Sequence, residues 1–273
     1  MLRLAHAAAF SLTLAGPVAA QQADPAEVFD AMRMDDLLRI MQQEGLAYGD
    51  EIGRDLFGAA PPARWDEQIA VIYDQDRMGA TIRAELAAEL EGADVQAILD
   101  FFASDLGRNV IALELAAREA LLDDAVEDAS REAAIVAMAD EAPRVLQVER
   151  YIAANDLIET NVVGALNSNY AFYMGMMDGG ALPGQMGEDQ ILSDVWGQEP
   201  EIRQNTTEWL YSFLLMAYGP LSDEEMEAYI AFSESPAGQE INAALFEAFD
   251  GMFIDISRAL GVASAEVMTV QEL

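Results

Sequence analysis

The stretch FSESPAG, Phe232–Gly238, repeats the pattern of FFASDLG, Phe101–Gly107, which lies 131 positions earlier in the chain. Both stretches fit Phe-x-x-Ser-x-x-Gly. In the later copy Ser235 precedes Pro236, a pair typical of a helix start because a serine oxygen accepts hydrogen bonds from free backbone N–H groups and proline has a helical φ. In the earlier copy Asp105 replaces proline, and a carboxylate in the first turn is favoured by the helix dipole. Each stretch is therefore predicted to be a capped corner between two helices.

The glycine and phenylalanine of the pattern also have structural roles in this interpretation. Gly107 and Gly238 each cost a helix about 0.8–1 kcal/mol relative to alanine, so we expect them to be present because two segments approach closely there. Phe101 and Phe232 are expected to fill the angle between the two helices of each corner. The pattern thus predicts the architecture of the chain rather than a reaction.

A catalytic role for the two serines is not supported by the rest of the sequence. A serine nucleophile needs a base, usually histidine or lysine. The chain contains no lysine, and its single histidine, His6, lies in a predicted leader. We therefore interpret Ser104 and Ser235 as helix caps.

The repeated pattern extends beyond these seven residues. Aligned at the same offset, Leu90–Arg118 and Leu221–Phe249 share seven identical residues. No convincing alternating strand pattern occurs anywhere in the chain. The sequence predicts an all-α protein of two tandem duplicated helical modules of the helical-bundle type, at 24–146 and 147–266, with 267–273 as a C-terminal tail.

The apolar periodicity places the individual helices. It predicts helices over 65–89, about 106–140 and about 144–173, with solvent-facing charges that include Glu114 and Arg118 on the second of these. The methionine-rich stretch from 174 to 187 and a glycine-containing stretch from 45 to 58 are predicted to be less regular, and the former is the best candidate for a loop.

The first twenty residues have the three parts of a secretory signal. MLRLAHAAAFSLTLAGPVAA has a basic start, an apolar run and small residues before a cleavage site near Ala20. The most apolar later stretch, Trp209–Tyr218, is too short to cross a bilayer and is predicted to be a core helix. These features predict a periplasmic or secreted protein without a stable membrane anchor.

Composition excludes several classes of function. The chain has no cysteine, and its 49 acidic and 14 basic residues give a net charge of −35. A disulfide framework and a zinc ribbon are thus excluded. Recognition of nucleic acid or of anionic lipid surfaces requires clustered basic residues, so we expect no nucleic-acid partner. No cofactor motif or metal site is found, and an enzyme is less favoured than a binding protein.

The later copy also carries a family resemblance. Leu221-Ser222-Asp223-Glu224-Glu225 followed by MEAYIAFSESPAGQEI resembles the core signature of an exported bacterial family known as domain of unknown function 2059. The resemblance is best over 221–246 and weaker over 90–115, where Asp105 replaces proline and Gly92-Ala93 replaces the acidic helix start. It implies a helical periplasmic protein, and the family supplies no catalytic residues to transfer.

Met174, Met176, Met177 and Met186 form the weak binding candidate of the sequence. Thioethers are soft ligands that suit Cu(I) in an exported protein, whereas methionines more often fill irregular gaps in a core or provide an adaptable contact surface. The function favoured by the sequence is binding without catalysis of an unknown protein or apolar ligand. The alternatives are a carboxylate-based hydrolase of envelope glycans and a structural envelope spacer.

Overall fold

Helices are the only regular secondary structure in the described part of the protein. In a computed structural model, residues 23–58, 61–181 and 187–271 are described. No strand occurs among them, so the predicted all-α class is confirmed. The predicted leader, 1–20, and Met186 lie outside the described residues.

The helices are numbered in chain order. They are α1 (Pro25–Ala31), α2 (Met34–Phe57), α3 (Ala63–Ile72), α4 (Gln75–Glu89), α5 (Val95–Phe102), α6 (Asp105–Ala120), α7 (Asp124–Ala139), α8 (Pro143–Ala154), α9 (Leu157–Asp178), α10 (Glu188–Trp196), α11 (Glu199–Tyr218), α12 (Asp223–Ser233) and α13 (Pro236–Gln271). We call α1–α7 the first half and α8–α13 the second half.

Aspartate residues divide all three of the long helices that periodicity predicts. Asp74 caps α4 by accepting a hydrogen bond from Arg77 N at 2.9 Å, and Asp123 caps α7 by accepting from Ala125 N at 2.9 Å. Asp156 has φ 49°, and this left-handed residue separates α8 from α9. Short polar side chains compete with the helix by bonding nearby backbone groups, which explains why apolar periodicity alone misses these breaks.

The stretch from 45 to 58 was predicted to be irregular, and this prediction is wrong. Residues 45–57 belong to the continuous helix α2, which ends before Gly58, and Gly45, Gly49 and Gly53 recur every fourth residue on one face of it. A Cβ added to Gly49 would lie 2.4 Å from the Ile69 side chain, and the Trp65 indole donates a hydrogen bond to Gly49 O at 2.9 Å. Only glycine leaves room for α3 to pack directly onto the α2 backbone at these positions. The free energy gained from this packing offsets the low helix propensity of glycine.

The two halves are interleaved. The helix α13 packs against α9 of its own half and against α3, α4 and α5 of the first half, while α11 packs against α6 and α7. The largest core cluster accordingly runs from Val28 in α1 to Val267 in α13. The second half thus supplies α13 to the core of the first half, and α6 of the first half joins the core cluster of α8, α11 and α12.

Two predicted boundaries differ from the structure. The boundary between 146 and 147 falls inside α8, whereas the turn that separates the halves lies at residues 140–142. The predicted tail from 267 begins in the last turns of α13, where Val267 is buried. Within the described residues, no helix has the length and hydrophobicity needed to cross a membrane.

Candidate functional site between the two halves

The two copies of the sequence pattern form matching helix corners. Ser104 Oγ accepts a hydrogen bond from Gly107 N at 3.0 Å, and Ser235 Oγ accepts one from Gly238 N at 3.1 Å. The Ser235 hydroxyl also donates to Phe232 O at 2.6 Å. Both serines therefore cap helices, α6 and α13 respectively, and their hydroxyl groups are engaged with backbone atoms.

Both corners bring a glycine onto the preceding helix end. A Cβ on Gly107 would lie 2.1 Å from Phe101 O, and a Cβ on Gly238 would lie 2.0 Å from Phe232 O. Real Cβ atoms are excluded at such distances, so only glycine fits without a shift of the backbone. The requirement for close approach that the sequence predicts is met at both positions.

The two corners also face each other. The rings of Phe101 and Phe232 are parallel, with 3.6 Å between their centroids and 3° between their planes. The Phe101 ring is also nearly parallel to that of Tyr229, with 5.8 Å between their centroids. The pattern thus brings its two copies into contact and fixes the interface between the halves. This equivalence of local geometry is what a duplication predicts, and the duplication itself stays a prediction.

Next to these rings, Glu114 of α6 lies in a cluster of tyrosines from the second half. The hydroxyl groups of Tyr218 and Tyr229 donate to Glu114 Oε1 at 2.6 and 3.0 Å, and Tyr151 donates to the Tyr229 hydroxyl at 2.9 Å. Burial raises the pKa of Glu114, although the two tyrosine hydrogen bonds oppose the shift. Burial also raises the pKa of Tyr218 and Tyr229, and the Glu114 charge adds to this effect.

The sequence interpretation of this segment is therefore wrong. Glu114 and Arg118 were expected on solvent-facing surfaces. Glu114 instead reaches the tyrosine cluster, and Arg118 forms two hydrogen bonds of 2.8 and 2.9 Å with Glu44 of α2. One signal could have identified Glu114, because it lies four residues after Val110 and three before Ala117 on the buried side of α6.

A cavity of about 190 Å³ lies beside Glu114. Apart from Glu114 and Arg118, its described lining is apolar and comprises Met32, Met34, Leu37, Ile111, Leu115, Phe213, Leu245 and Phe249. Glycoside hydrolysis of the common type needs two carboxyl groups, about 5–10 Å apart, facing the bond that is cleaved. Among the described lining residues Glu114 supplies the only carboxyl group, so this cavity gives no support to the hydrolase alternative.

A larger apolar groove lies between α7 of the first half and α11 of the second. It encloses about 510 Å³, and small side chains such as Ala133 and Ala137 form its α7 wall, while Leu215 and Met216 contribute to its α11 wall. Ser130 Oγ donates to Ser212 O across the groove at 3.0 Å. The groove arises because α7 presents mainly alanines to α11, so that the two helices leave space between them.

The polar end of this groove is formed by Arg144, in the first turn of α8. Its Nη2 donates to Leu221 O and lies 3.4 Å from Asp223 Oδ1. Its other terminal nitrogen, Nη1, is buried and has no hydrogen-bond partner among the residues that the structure describes. A buried guanidinium N–H without a partner is costly, and it marks a position where an acceptor would be bound favourably.

The methionine candidates do not form one site. Met174, Met176 and Met177 lie in the last turns of α9 rather than in a loop. Met174 and Met177 pack against the small core cluster around Ile191, while Met176 is itself buried, with 8% of its surface exposed. The copper hypothesis therefore gains no support from these three residues.

A protein-family model matches part of the chain. No curated protein and no solved structure matches the chain. The family model matches residues 76–134, which run from α4 into α7 and contain the first corner. The resemblance predicted from the sequence is instead best over 221–246. The resemblance predicted from the sequence is thus confirmed over residues 76–134, which match DUF2059, a family described as an uncharacterized protein conserved in bacteria.

Proposed function

We propose that the protein is an exported, periplasmic binding protein that holds an apolar ligand in the groove between α7 and α11 without catalysis. The observation that carries the proposal is the groove itself. Its volume of about 510 Å³ lies within the range of ~300–1,000 Å³ that is common for small-molecule pockets, and its lining is mainly apolar with a few polar groups.

The packing of α7 supports a role in ligand entry. This helix packs chiefly against α11, and Ala134 is its one residue that is buried among those described. Ile135, Val136 and Met138 of α7 are exposed, with 61, 53 and 41% of their surfaces accessible. A helix with so few buried apolar contacts can open at low cost in free energy, as ligand-binding elements commonly do.

The test is uptake of the neutral fluorescent probe 1-N-phenylnaphthylamine by the purified protein. We expect saturable binding, with an increase in fluorescence as the probe leaves water. Ala133→Phe places a ring in the groove and should abolish most of the binding. Ala139→Phe adds the same ring on exposed surface of α7 outside the groove lining and should leave it unchanged.

Two results would count against this proposal. The first is the absence of saturable uptake by the wild-type protein, which is what the structural-spacer alternative predicts. The second is equal uptake by the Ala133→Phe and Ala139→Phe variants, which would place the probe elsewhere on the molecule.

A further inference from the structure

The groove between α7 and α11 combines an apolar lining with a single charged group. Val126, Ala129, Leu215 and Met216 are apolar over their whole side chains, and the charge is the guanidinium of Arg144. A pocket of this kind is complementary to a molecule that is apolar along most of its length and anionic at one end. The positive charge of Arg144 at the end of the groove therefore indicates that the ligand has an anionic group.

The position of Arg144 fixes the orientation of such a ligand. Ser130 and Ser212 meet near the middle of α7 and well before the end of α11. Arg144 binds Leu221 O, so it lies where α7 and α11 have both ended. The apolar lining thus extends from Val126 and Ala129, past the serine pair, towards the guanidinium.

The immediate surroundings of Arg144 leave capacity for one more acceptor. Leu221 O and Asp223 Oδ1 both lie on the Nη2 side of the guanidinium. Nη1 is buried and has no partner within 23–58, 61–181 and 187–271, although the side chain as a whole keeps 18% of its surface exposed. Asp223 is a poor competitor for Nη1, because its side chain is 77% exposed and remains hydrated.

The first turn of α8 adds to the attraction for an anion. Its N-cap residue, Ala142, has no side chain that accepts a hydrogen bond, and Pro143 occupies the first helical position. The N-terminal end of a helix carries partial positive charge, which acidic side chains commonly neutralise. Here the first turn contains no acidic residue and contains Arg144 instead.

We infer that the ligand of this groove is a free single-chain amphiphile with a carboxylate head, such as a long-chain fatty acid, whose carboxylate binds the partly exposed guanidinium of Arg144. The chain would lie along the alanine wall of α7. A carboxylate fits because a guanidinium N–H and a carboxylate oxygen form a charge-assisted hydrogen bond, which is stronger than a neutral one. This inference rests on the proposed function.

The experiment compares two competitors that differ in the head group. Dodecanoate and 1-dodecanol, each below its aggregation limit at pH 8, are titrated against protein loaded with 1-N-phenylnaphthylamine. We expect dodecanoate to displace the probe at about tenfold lower concentration, as a charge-assisted hydrogen bond implies. Arg144→Gln should abolish this preference and leave the affinity for 1-dodecanol within about twofold.

Two further variants complete the design. Arg131→Gln removes the same charge from α7 at an exposed ion pair with Glu127 and should keep the preference for dodecanoate. Asp223→Asn leaves Arg144 in place and removes its acidic neighbour, so it should tighten dodecanoate binding about two- to threefold. Because Asp223→Asn predicts a gain of binding, the inference stays testable even if Arg144→Gln does not fold.

The outcomes separate the inference from the proposed function. Equal displacement by dodecanoate and 1-dodecanol in the wild-type protein would overturn the inference while the groove remains a site for apolar ligands. A preference that survives in folded Arg144→Gln, or is lost in Arg131→Gln, would also overturn it. Absence of probe uptake by the wild-type protein would instead refute the proposed function, and the inference with it.

Discussion

Glu114 is a charged residue whose environment comes from the other half of the chain. Its two hydrogen-bond donors, Tyr218 and Tyr229, belong to α11 and α12, while Glu114 itself belongs to α6. Burial disfavours the ionised carboxylate, and the tyrosine hydroxyl groups recover part of that cost by donating to it. Ionisation of Glu114 is thus linked to the stability of the interface between the halves.

The sign of this linkage follows from the raised pKa of Glu114. A carboxyl group whose folded-state pKa exceeds its unfolded-state value stabilises the fold fully only below the unfolded value, and this contribution is lost as pH rises through the folded value. Glu114→Gln keeps an oxygen that accepts from the tyrosines and carries no charge. We therefore expect it to raise the free energy of unfolding at pH 8, because the folded protein then no longer carries a carboxylate whose ionised form burial disfavours.

Urea unfolding at pH 4 and at pH 8 measures this effect. The advantage of Glu114→Gln should shrink at pH 4, where the wild-type carboxyl group is largely protonated in the folded state. Glu119→Gln, on the same helix, removes the same charge from an exposed ion pair with Arg39 and should change stability by less than about 1 kcal/mol at both pH values. Equal effects of the two variants at pH 8 would refute the account of Glu114.

At the scale of single residues, the sequence predicts the motif better than it predicts the candidate site. Ser104, Ser235, Gly107 and Gly238 have the geometry expected for them, because capping and close approach are local properties that neighbouring residues encode. The environment of Arg144 depends on Leu221 and Asp223, and Leu221 lies 77 residues further along the chain. A single sequence without this packing cannot place it.

At the scale of elements, the helix corners are the feature that the chain can least easily change. The α12–α13 corner buries Ser233, caps α13 through Ser235 and brings Gly238 onto the end of α12. The α5–α6 corner repeats this arrangement with Asp105 in the place of Pro236. The geometry of each corner sets the direction of the helix that follows it, α6 or α13. It thereby determines which other helices α6 and α13 pack against.

Gly238→Ala is therefore expected to be strongly destabilising. A Cβ 2.0 Å from the Phe232 carbonyl oxygen forces the backbone of α12 or α13 to move, and overpacking of this kind typically costs about 1–3 kcal/mol. Gly251→Ala is the matched control in the same helix, because its Cβ would meet no atom within 4 Å. Alanine is the better helix former, so this control should gain about 0.5–1 kcal/mol.

Thermal unfolding followed by circular dichroism distinguishes the two variants. We expect the midpoint of Gly238→Ala to fall and that of Gly251→Ala to rise relative to the wild-type protein. If Gly238→Ala unfolded at or above the wild-type midpoint, the close contact with Phe232 would not be a feature of the protein in solution.

The elements also show where periodicity fails as a predictor. The class of the fold follows from helical spacing, but the helix ends depend on Asp74, Asp123 and Asp156, whose effect on the backbone is not expressed in the apolar pattern. In α2 the pattern instead suggests an irregular stretch where a helix is present. Gly45, Gly49 and Gly53 are unfavourable in an isolated helix, but they allow α3 to pack closely against α2. Tertiary contact decides both cases.

At the scale of the whole molecule, the interleaving of the halves resembles an exchange of long helices. The helix α4 packs against α13, and α11, which lies at a similar place in the second half, packs against α6. The segment 105–139 is divided into α6 and α7, whereas its counterpart at the offset of 131 is the continuous helix α13. The break at Leu121–Asp123 turns α7 along α11, and the groove lies between these two helices.

This arrangement predicts that neither half folds alone. Residues 23–141 without α13 would expose the faces of α3, α4 and α5 that α13 covers. Residues 142–273 would in turn lose α6, which covers Tyr218 and Tyr229 through Glu114. The apolar area left in water would remove a driving force of about 25 cal/mol for every Å² exposed, and a domain's net stability is only about 5–15 kcal/mol.

Expression of the two fragments separately and together tests the prediction. Each fragment alone is expected to lack a cooperative thermal transition, whereas the two mixed in equal amounts should associate one to one and recover it. The cut between 141 and 142 lies in the turn before α8 and interrupts no helix, so a failure to fold cannot be assigned to a broken element. A fragment 23–141 that unfolds cooperatively as a monomer would show that the halves are autonomous domains, and the exchange of long helices would then contribute little to the stability of either.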